Sequence, residues 1–182
     1  YKIGDDDFVL SAGSRIVHEK GYDLLIKAIA LLEKDIREHV RVLIVGSGVQ
    51  VTELERLAQE LDLEEQVILE KWLDITDFKA LIANSHVFIH PARVDSYGGT
   101  TLGMALGVPV IGSYGAGAAV DRIEQGRNGF LYQPDDVRAL ANLITLLYRN
   151  PQLRSYMGQE ARKTATSWPP ERGVEIMVNN AI

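Results

Sequence analysis

A doubly wound parallel α/β sheet, Rossmann-like, is the fold class that the sequence predicts. Three observations point to it. Short apolar stretches alternate repeatedly with amphipathic helical stretches along the chain. The apolar stretches are continuous rather than alternating, as expected for strands covered by helices on both faces. Polar or glycine-containing loops (residues 13–20, 46–48, 91–101 and 112–117) follow four of the strands, at the carboxyl ends where such sheets gather ligands.

The elements follow in order. Residues 8–12 form a short apolar strand ended by Gly13-Ser14-Arg15. Gly21 precedes an amphipathic helix over 22–32, with Leu24, Leu25, Ala28, Ile29, Leu31 and Leu32 at helical spacing. Residues 41–45 are a β-branched strand closed by Gly46-Ser47-Gly48. A helix over 51–61 carries Leu54, Leu57, Ala58 and Leu61 on one face and charges opposite. Residues 67–69 are a third strand. Asp74 or Thr76 is placed to cap a helix running through Ala83, with Asp77 in its first turn.

The central unit is FIHPARVDSYGGTTLGMALGVPVIGS, residues 88–113. A buried strand over 87–90 runs into Pro91, and a polar loop covers 92–95. Tyr97-Gly98-Gly99-Thr100-Thr101 leads into a helix over 101–106, which Gly107 stops before a strand over 108–112. Such a turn leaves unpaired N–H groups at a helix N-terminus, where an anion is favoured. The local pattern leaves open whether Gly98 and Gly99 cradle a phosphate or only make a tight turn.

Tyr114-Gly115-Ala116-Gly117 then leads into a helix over 118–125, and Asn128-Gly129 turns into a strand over 130–132. Pro134-Asp135-Asp136 starts a helix over 137–149. Pro151 starts another, through about Ser167, and Pro169-Pro170 ends it.

Composition narrows the function. A chain of 182 residues suits one domain. Its 46% hydrophobic and 24% charged content is that of a soluble globular protein. A net charge of −6 argues against a general nucleic-acid or membrane-surface binder. With no cysteine there is no disulfide, no thiolate zinc site and no cysteine nucleophile. His18, His39, His86 and His90 show no metal-ligand spacing, so no metal is expected. No apolar run reaches membrane-spanning length. The sequence opens YKIGDDDF without an initiator Met, which predicts a segment cut from a longer protein. Asp5-Asp6-Asp7 reads as a solvated turn.

The loop GSRIVHEKG carries Arg15 and Lys20, two cations at the mouth of a glycine-lined crevice. Arginine clamps two oxygens at once and lysine adds a mobile point charge, which suits a diphosphate. Alone, the pair reads more readily as solvated surface charge; with the other glycine loops it reads as a phosphate site.

From about Phe8 to Trp168 the sequence resembles the donor-binding half of a GT-B glycosyltransferase of the retaining, metal-independent group 1 family. SRIVHEKGYDLLIKA resembles the family's Arg-x4-Lys-Gly loop and helix, and LIVGSG its strand and Gly-x-Gly turn. DITDFKALIANSHVFIHPA, ALGVPVIGS and GRNGFLY resemble three further landmarks, in the same order.

The resemblance implies a two-domain enzyme with the reaction between its halves. All 182 residues would be the donor-binding domain, and the partner is the N-terminal acceptor half of the parent chain. The substrate is a nucleotide-diphosphate sugar of UDP or GDP type, with no cofactor. The acceptor is a hydroxyl, in polysaccharide or glycolipid synthesis. Arg15 and Lys20 would hold the diphosphate. Gly98, Gly99, Thr100 and Thr101, beside Tyr97, would face phosphate or sugar. Gly13, Ser14, Ser47 and Gly48 would line the crevice. Trp72 and Leu73 stand where the family contacts the base, though Trp72 reads equally as a packed residue. A cytoplasmic location, peripheral at the membrane through the other half, follows from where sugar nucleotides are made.

Two departures stand out. The family has two glutamates separated by seven residues. Asp95 holds the first place, toward the transferred sugar, on a shorter arm. Counting forward from Asp95 puts the second, ribose-binding place on Gly103; counting back from Pro109 puts it on Leu102. The mismatch reads as a deletion. A third acidic place falls on Asp121, which reads as surface charge, and His90 reads as a packed or solvated residue rather than a base. The lost glutamate keeps a second reading open: a non-catalytic nucleotide- or protein-binding module of the same fold. A nicotinamide dehydrogenase is disfavoured, because the first turn lacks Gly-x-Gly-x-x-Gly and no acid closes the second strand.

Overall fold

Six strands pair in the order β3-β2-β1-β4-β5-β6, every neighbouring pair parallel. They are β1 Phe8–Gly13, β2 Val40–Val45, β3 Val67–Glu70, β4 Val87–His90, β5 Val110–Ser113 and β6 Gly129–Tyr132. The computed structural model describes residues 3–168. The helices are α1 Tyr22–Ala30, α2 Lys34–Arg37, α3 Val51–Glu60, α4 Ile75–Ala83, α5 Thr100–Ala105, α6 Gly117–Arg122, α7 Val137–Arg149 and α8 Pro151–Thr166. Among the described residues none is long and apolar enough to cross a membrane.

Helices cover both faces, as the continuous apolar strands require. One core joins Leu10, Val42 and Ile44 of the sheet to Ile26 and Ile29 of α1, Leu54 of α3 and Ile144 of α7. The other joins Phe88 and Val110 to Ile82 of α4, Met104 of α5 and Ala161 of α8. Each such fully buried aliphatic side chain contributes about 1.5–3 kcal/mol. β1 pairs with β2 on one side and β4 on the other, so the chain reverses its winding between β1 and β4. The crevice beyond their carboxyl ends is the ligand position of an open α/β sheet.

The elements depart from expectation at their ends. The first helix stops at Ala30, and Leu31 begins its terminal turn. The single-turn α2, which buries only Ile36, is too short to show a period. A 3-10 turn, His18–Lys20, occupies part of the first loop. The strand expected over 108–112 starts at Val110. Pro109 has no N–H for the ladder, though its carbonyl accepts from Phe88 N at 3.0 Å. α6 ends at Arg122, because Ile123 is extended. Asp74 is the cap of α4, accepting from Thr76 N at 2.8 Å and Asp77 N at 2.9 Å. Pro169-Pro170 lies outside the described residues.

Candidate functional site

Two loops meet at the reversal point: residues 14–21 after β1 and residues 91–99 after β4. The backbone N–H groups of Arg93 and Val94 both donate to Glu19 O, at 2.8 and 3.1 Å. The Arg93 guanidinium grips Asp23 with both Nη atoms, at 2.7 and 2.8 Å. It also donates to His18 O and to Asp135, each at 3.0 Å. Burial alone would raise the Asp23 carboxyl. The hydrogen bonds and charges of Arg93 and Lys27 outweigh that and lower it to about 2. Gly21 completes the junction in a left-handed conformation, φ +68°, where a β-carbon would lie 2.1 Å from Pro91 O.

Asp95 is held from several directions. Its N–H donates to Gly115 O and its carbonyl accepts from Gly117 N, both at 2.8 Å. Ser113 Oγ ties the end of β5 to Ala92 O beside it. Its side-chain Oδ2 takes Lys20 Nζ at 2.6 Å and His90 Nε2 at 2.9 Å. Oδ1 has no hydrogen-bond partner among the described residues. Burial would raise this carboxyl, but the hydrogen bonds from Lys20 and His90 hold it below the ordinary carboxylate range. His90 is buried, and its Nδ1 lies 2.7 Å from Thr100 Oγ1. Burial lowers its pKa, against the pull of Asp95 and with the push of Lys20. Its ring is therefore neutral at pH 7. An ionised carboxylate only accepts, so Nε2 carries the proton and Nδ1 accepts from the Thr100 hydroxyl.

These contacts bear on two of the expected site residues. Lys20 is not a free cation, since it is paired with Asp95. Thr100 offers no spare hydroxyl proton, because the residue is fully buried and bonded to His90. His90, read from sequence as a bystander, is the node joining strand, carboxylate and α5. The His-x4-Asp contact runs between a strand end and a loop, so no sequence period announces it.

Gly98 and Gly99 are glycines for space rather than for an unusual turn, since neither has positive φ. A β-carbon on Gly98 would lie 2.7 Å from Asp95 Oδ2 and 2.9 Å from His90 Cε1. One on Gly99 would lie 2.5 Å from Phe88 Cζ. Gly99 is the N-cap of α5, and no side chain caps the helix. The first turn of α5 has no acid. Leu102 is half-buried, and Gly103 packs on Phe88 and Val110. Neither position of the missing glutamate therefore supplies a carboxylate.

Arg15 is exposed and forms no ion pair among the described residues. Ser14 Oγ shares a 2.7 Å hydrogen bond with Tyr22 OH. The Phe78 ring covers Gly13, 2.7 Å from where a β-carbon would stand. Ser47, Gly48 and Trp72 line one cleft with Ile16, about 480 Å³, large enough for a base. The loop after β2 is pressed against the first loop, with Ile16 N donating to Ser47 O at 2.7 Å. Trp72 is 55% exposed, which excludes the packed reading. Leu73 is half-buried outside that lining. Tyr97 and Thr101 face a different cavity, about 200 Å³, with Arg122 and Trp168. Tyr97 OH accepts from Arg122 at 2.9 Å. Thr101 Oγ1 donates to Gly98 O at 3.5 Å. Asp121 is exposed surface charge.

The sequence profile of a family described as "Glycosyl transferases group 1" matches residues 1–164. The chain is 32% identical over 176 residues to "Putative glycosyltransferase EpsD" of Bacillus subtilis, covering 96% of this chain and 45% of that protein. It is 29% identical to "GDP-mannose-dependent alpha-(1-6)-phosphatidylinositol monomannoside mannosyltransferase" of Mycolicibacterium smegmatis, covering 91% of this chain and 44% of that protein. Among solved structures, Anabaena Alr3699/HepE in complex with UDP superposes with a TM-score of 0.83 at 26% identity, over 97% of this chain and 48% of that one. The chain thus spans about half the length of the relatives it matches.

Proposed function

The chain belongs to the group 1 glycosyltransferases, and from that premise we propose that it is the donor-binding half of a retaining enzyme. The intact protein moves a sugar from a UDP- or GDP-sugar to a hydroxyl acceptor carried by a polysaccharide or glycolipid precursor. The observation that carries this reading is the cluster of Lys20, Asp95 and exposed Arg15 at the reversal point, beside the cleft of Trp72.

Each residue has a task. Trp72 stacks on the base, with Ser47 and Gly48 at the cleft edge. Arg15 and Lys20 meet the diphosphate and stabilise the charge that develops as it leaves, without a metal. Asp95 accepts a hydroxyl of the sugar and orients it. The acceptor comes from the other half of the parent chain.

The HepE structures with UDP and with UDP-glucose support the uridine donor, and the mannosyltransferase named for GDP-mannose supports the guanosine one. Calorimetric titration of the intact protein with UDP, GDP and ADP, with and without Mg²⁺, decides between them. One nucleotide is expected to bind saturably without metal, and Arg15→Ala and Lys20→Ala each to weaken it. Absence of binding to millimolar concentration overturns the proposal. An inverted anomeric product would overturn retention alone.

The acid-free first turn of α5 favours a second reading, a nucleotide-binding module without transfer activity. Saturable nucleotide binding with no sugar released from any bound donor would establish it.

A further inference from the structure

Two polar side chains converge on one oxygen of a third. Lys20 Nζ and His90 Nε2 both contact Asp95 Oδ2, and all three side chains are about nine-tenths buried. Behind them His90 Nδ1 reaches Thr100, the first residue of α5. The backbone of Asp95 is fixed to the loop after β5 on both its N–H and its carbonyl. The side chain therefore turns only about its own bonds, and His90 sets where it stops. With Oδ2 occupied twice, Oδ1 is the oxygen left for a ligand.

We propose that His90 is a positioning residue for Asp95, and that it takes up a proton when a diphosphate draws Lys20 away. This rests on the function proposed above. Lys20 serves two anions that cannot both hold it equally: the carboxylate, which has it in this structure, and the diphosphate. As Lys20 turns toward the diphosphate, Asp95 loses its nearest countercharge, and His90 loses the cation that opposes its own ionisation. An imidazolium at His90 then replaces the lost charge. It donates from Nε2 to Asp95 and from Nδ1 to Thr100 Oγ1, reversing only the second hydrogen bond. The carboxylate stays in place while the lysine moves. The charged groups facing His90 are Asp95 and Lys20. Tyr22, close enough to feel Asp95, is kept neutral by burial.

Calorimetry of the intact protein with UDP, in buffers of different ionisation heat near pH 6.5, tests this. Proton uptake is expected to exceed that of His90→Gln by a measurable fraction of a proton per site. Titration of the UDP phosphate itself is common to both proteins and cancels. Gln keeps a donor for Asp95 but cannot ionise. A measurement on the unmodified protein guards against a variant that fails to fold: the ring ¹⁵N shifts of His90 across pH. They are expected to report the Nε2–H tautomer without UDP, and a titration midpoint that rises when UDP saturates. Saturable UDP binding with an unmoved midpoint would overturn this inference and leave the proposed function intact. If GDP is the nucleotide that binds, it replaces UDP in each measurement; failure of UDP, GDP and ADP alike to bind would overturn both.

Discussion

The guanidinium of Arg93 grips both oxygens of Asp23 across 70 positions of sequence, at 2.7 and 2.8 Å. The pair locks the loop that carries Asp95 onto the helix that follows Arg15 and Lys20. Lysine at position 93 keeps the charge but cannot make the fork. Arg93→Lys is expected to lower stability by about 1–3 kcal/mol at pH 7 in denaturant unfolding. Asp23 is ionised to a lower pH in the folded chain than in the unfolded one. Its contribution is complete above the unfolded value, about 4, and fades as pH falls toward about 2. The gap between the two proteins should narrow over that interval. A constant gap would mean that the pair is not what the substitution removes.

Gly99 leaves no room for a side chain because the Phe88 ring fills its place. Gly99→Ala forces the ring or the start of α5 to shift, at an expected loss of about 1–3 kcal/mol. Adding Phe88→Leu should recover part of it, since the two substitutions share one space. Thermal melts of the two single variants and the double variant provide the cycle. Strict additivity would show that the crowding is relieved elsewhere.

The sheet was readable because its strands are buried on both faces and so appear as unbroken apolar runs. β2, with Val40, Val42, Leu43, Ile44 and Val45 all buried, is the clearest case. The loops around the crevice were readable because glycine and proline punctuate them. What escaped was the wiring. Arg93 and Asp23 lie far apart in sequence, and nothing local marks either as the other's partner. His90 resembled any polar residue at a strand end, because its role depends on Thr100 and Asp95 arriving from a loop and a helix. Tyr97 and Trp72 are both exposed aromatics near glycines, yet they face different cavities, and side-chain direction from a loop has no period to reveal it.

The structure bears on the missing glutamate. Inserting Glu between Leu102 and Gly103 would turn every later residue of α5 by about 100°. Gly103 would leave the contact with Phe88 and Val110, and Met104 would leave the core, where it is 1% exposed. The insertion is expected to lower stability by about 2–5 kcal/mol. Leu102→Glu keeps the helix phase and should cost less. Denaturant midpoints rank the two. An insertion variant as stable as the parent would show that α5 is free to rotate on the sheet. A gain in UDP affinity from either variant would identify the absent carboxylate as what limits binding.

Trp72 separates base recognition from folding. More than half exposed, it contributes little to the core, so Trp72→Ala should leave stability within about 0.5 kcal/mol. Loss of a stacked base typically costs about 1–3 kcal/mol, or about 5- to 150-fold in the dissociation constant. Arg15 acts on the diphosphate, so Arg15→Ala should weaken UDP and pyrophosphate alike. Trp72→Ala should weaken UDP and leave pyrophosphate unchanged. Titration of each variant with both ligands gives four comparisons. An unchanged UDP affinity in Trp72→Ala would move the base out of the cleft beside Ser47 and Gly48. Equal losses for both ligands would mean that the indole shapes the phosphate loop rather than the base site.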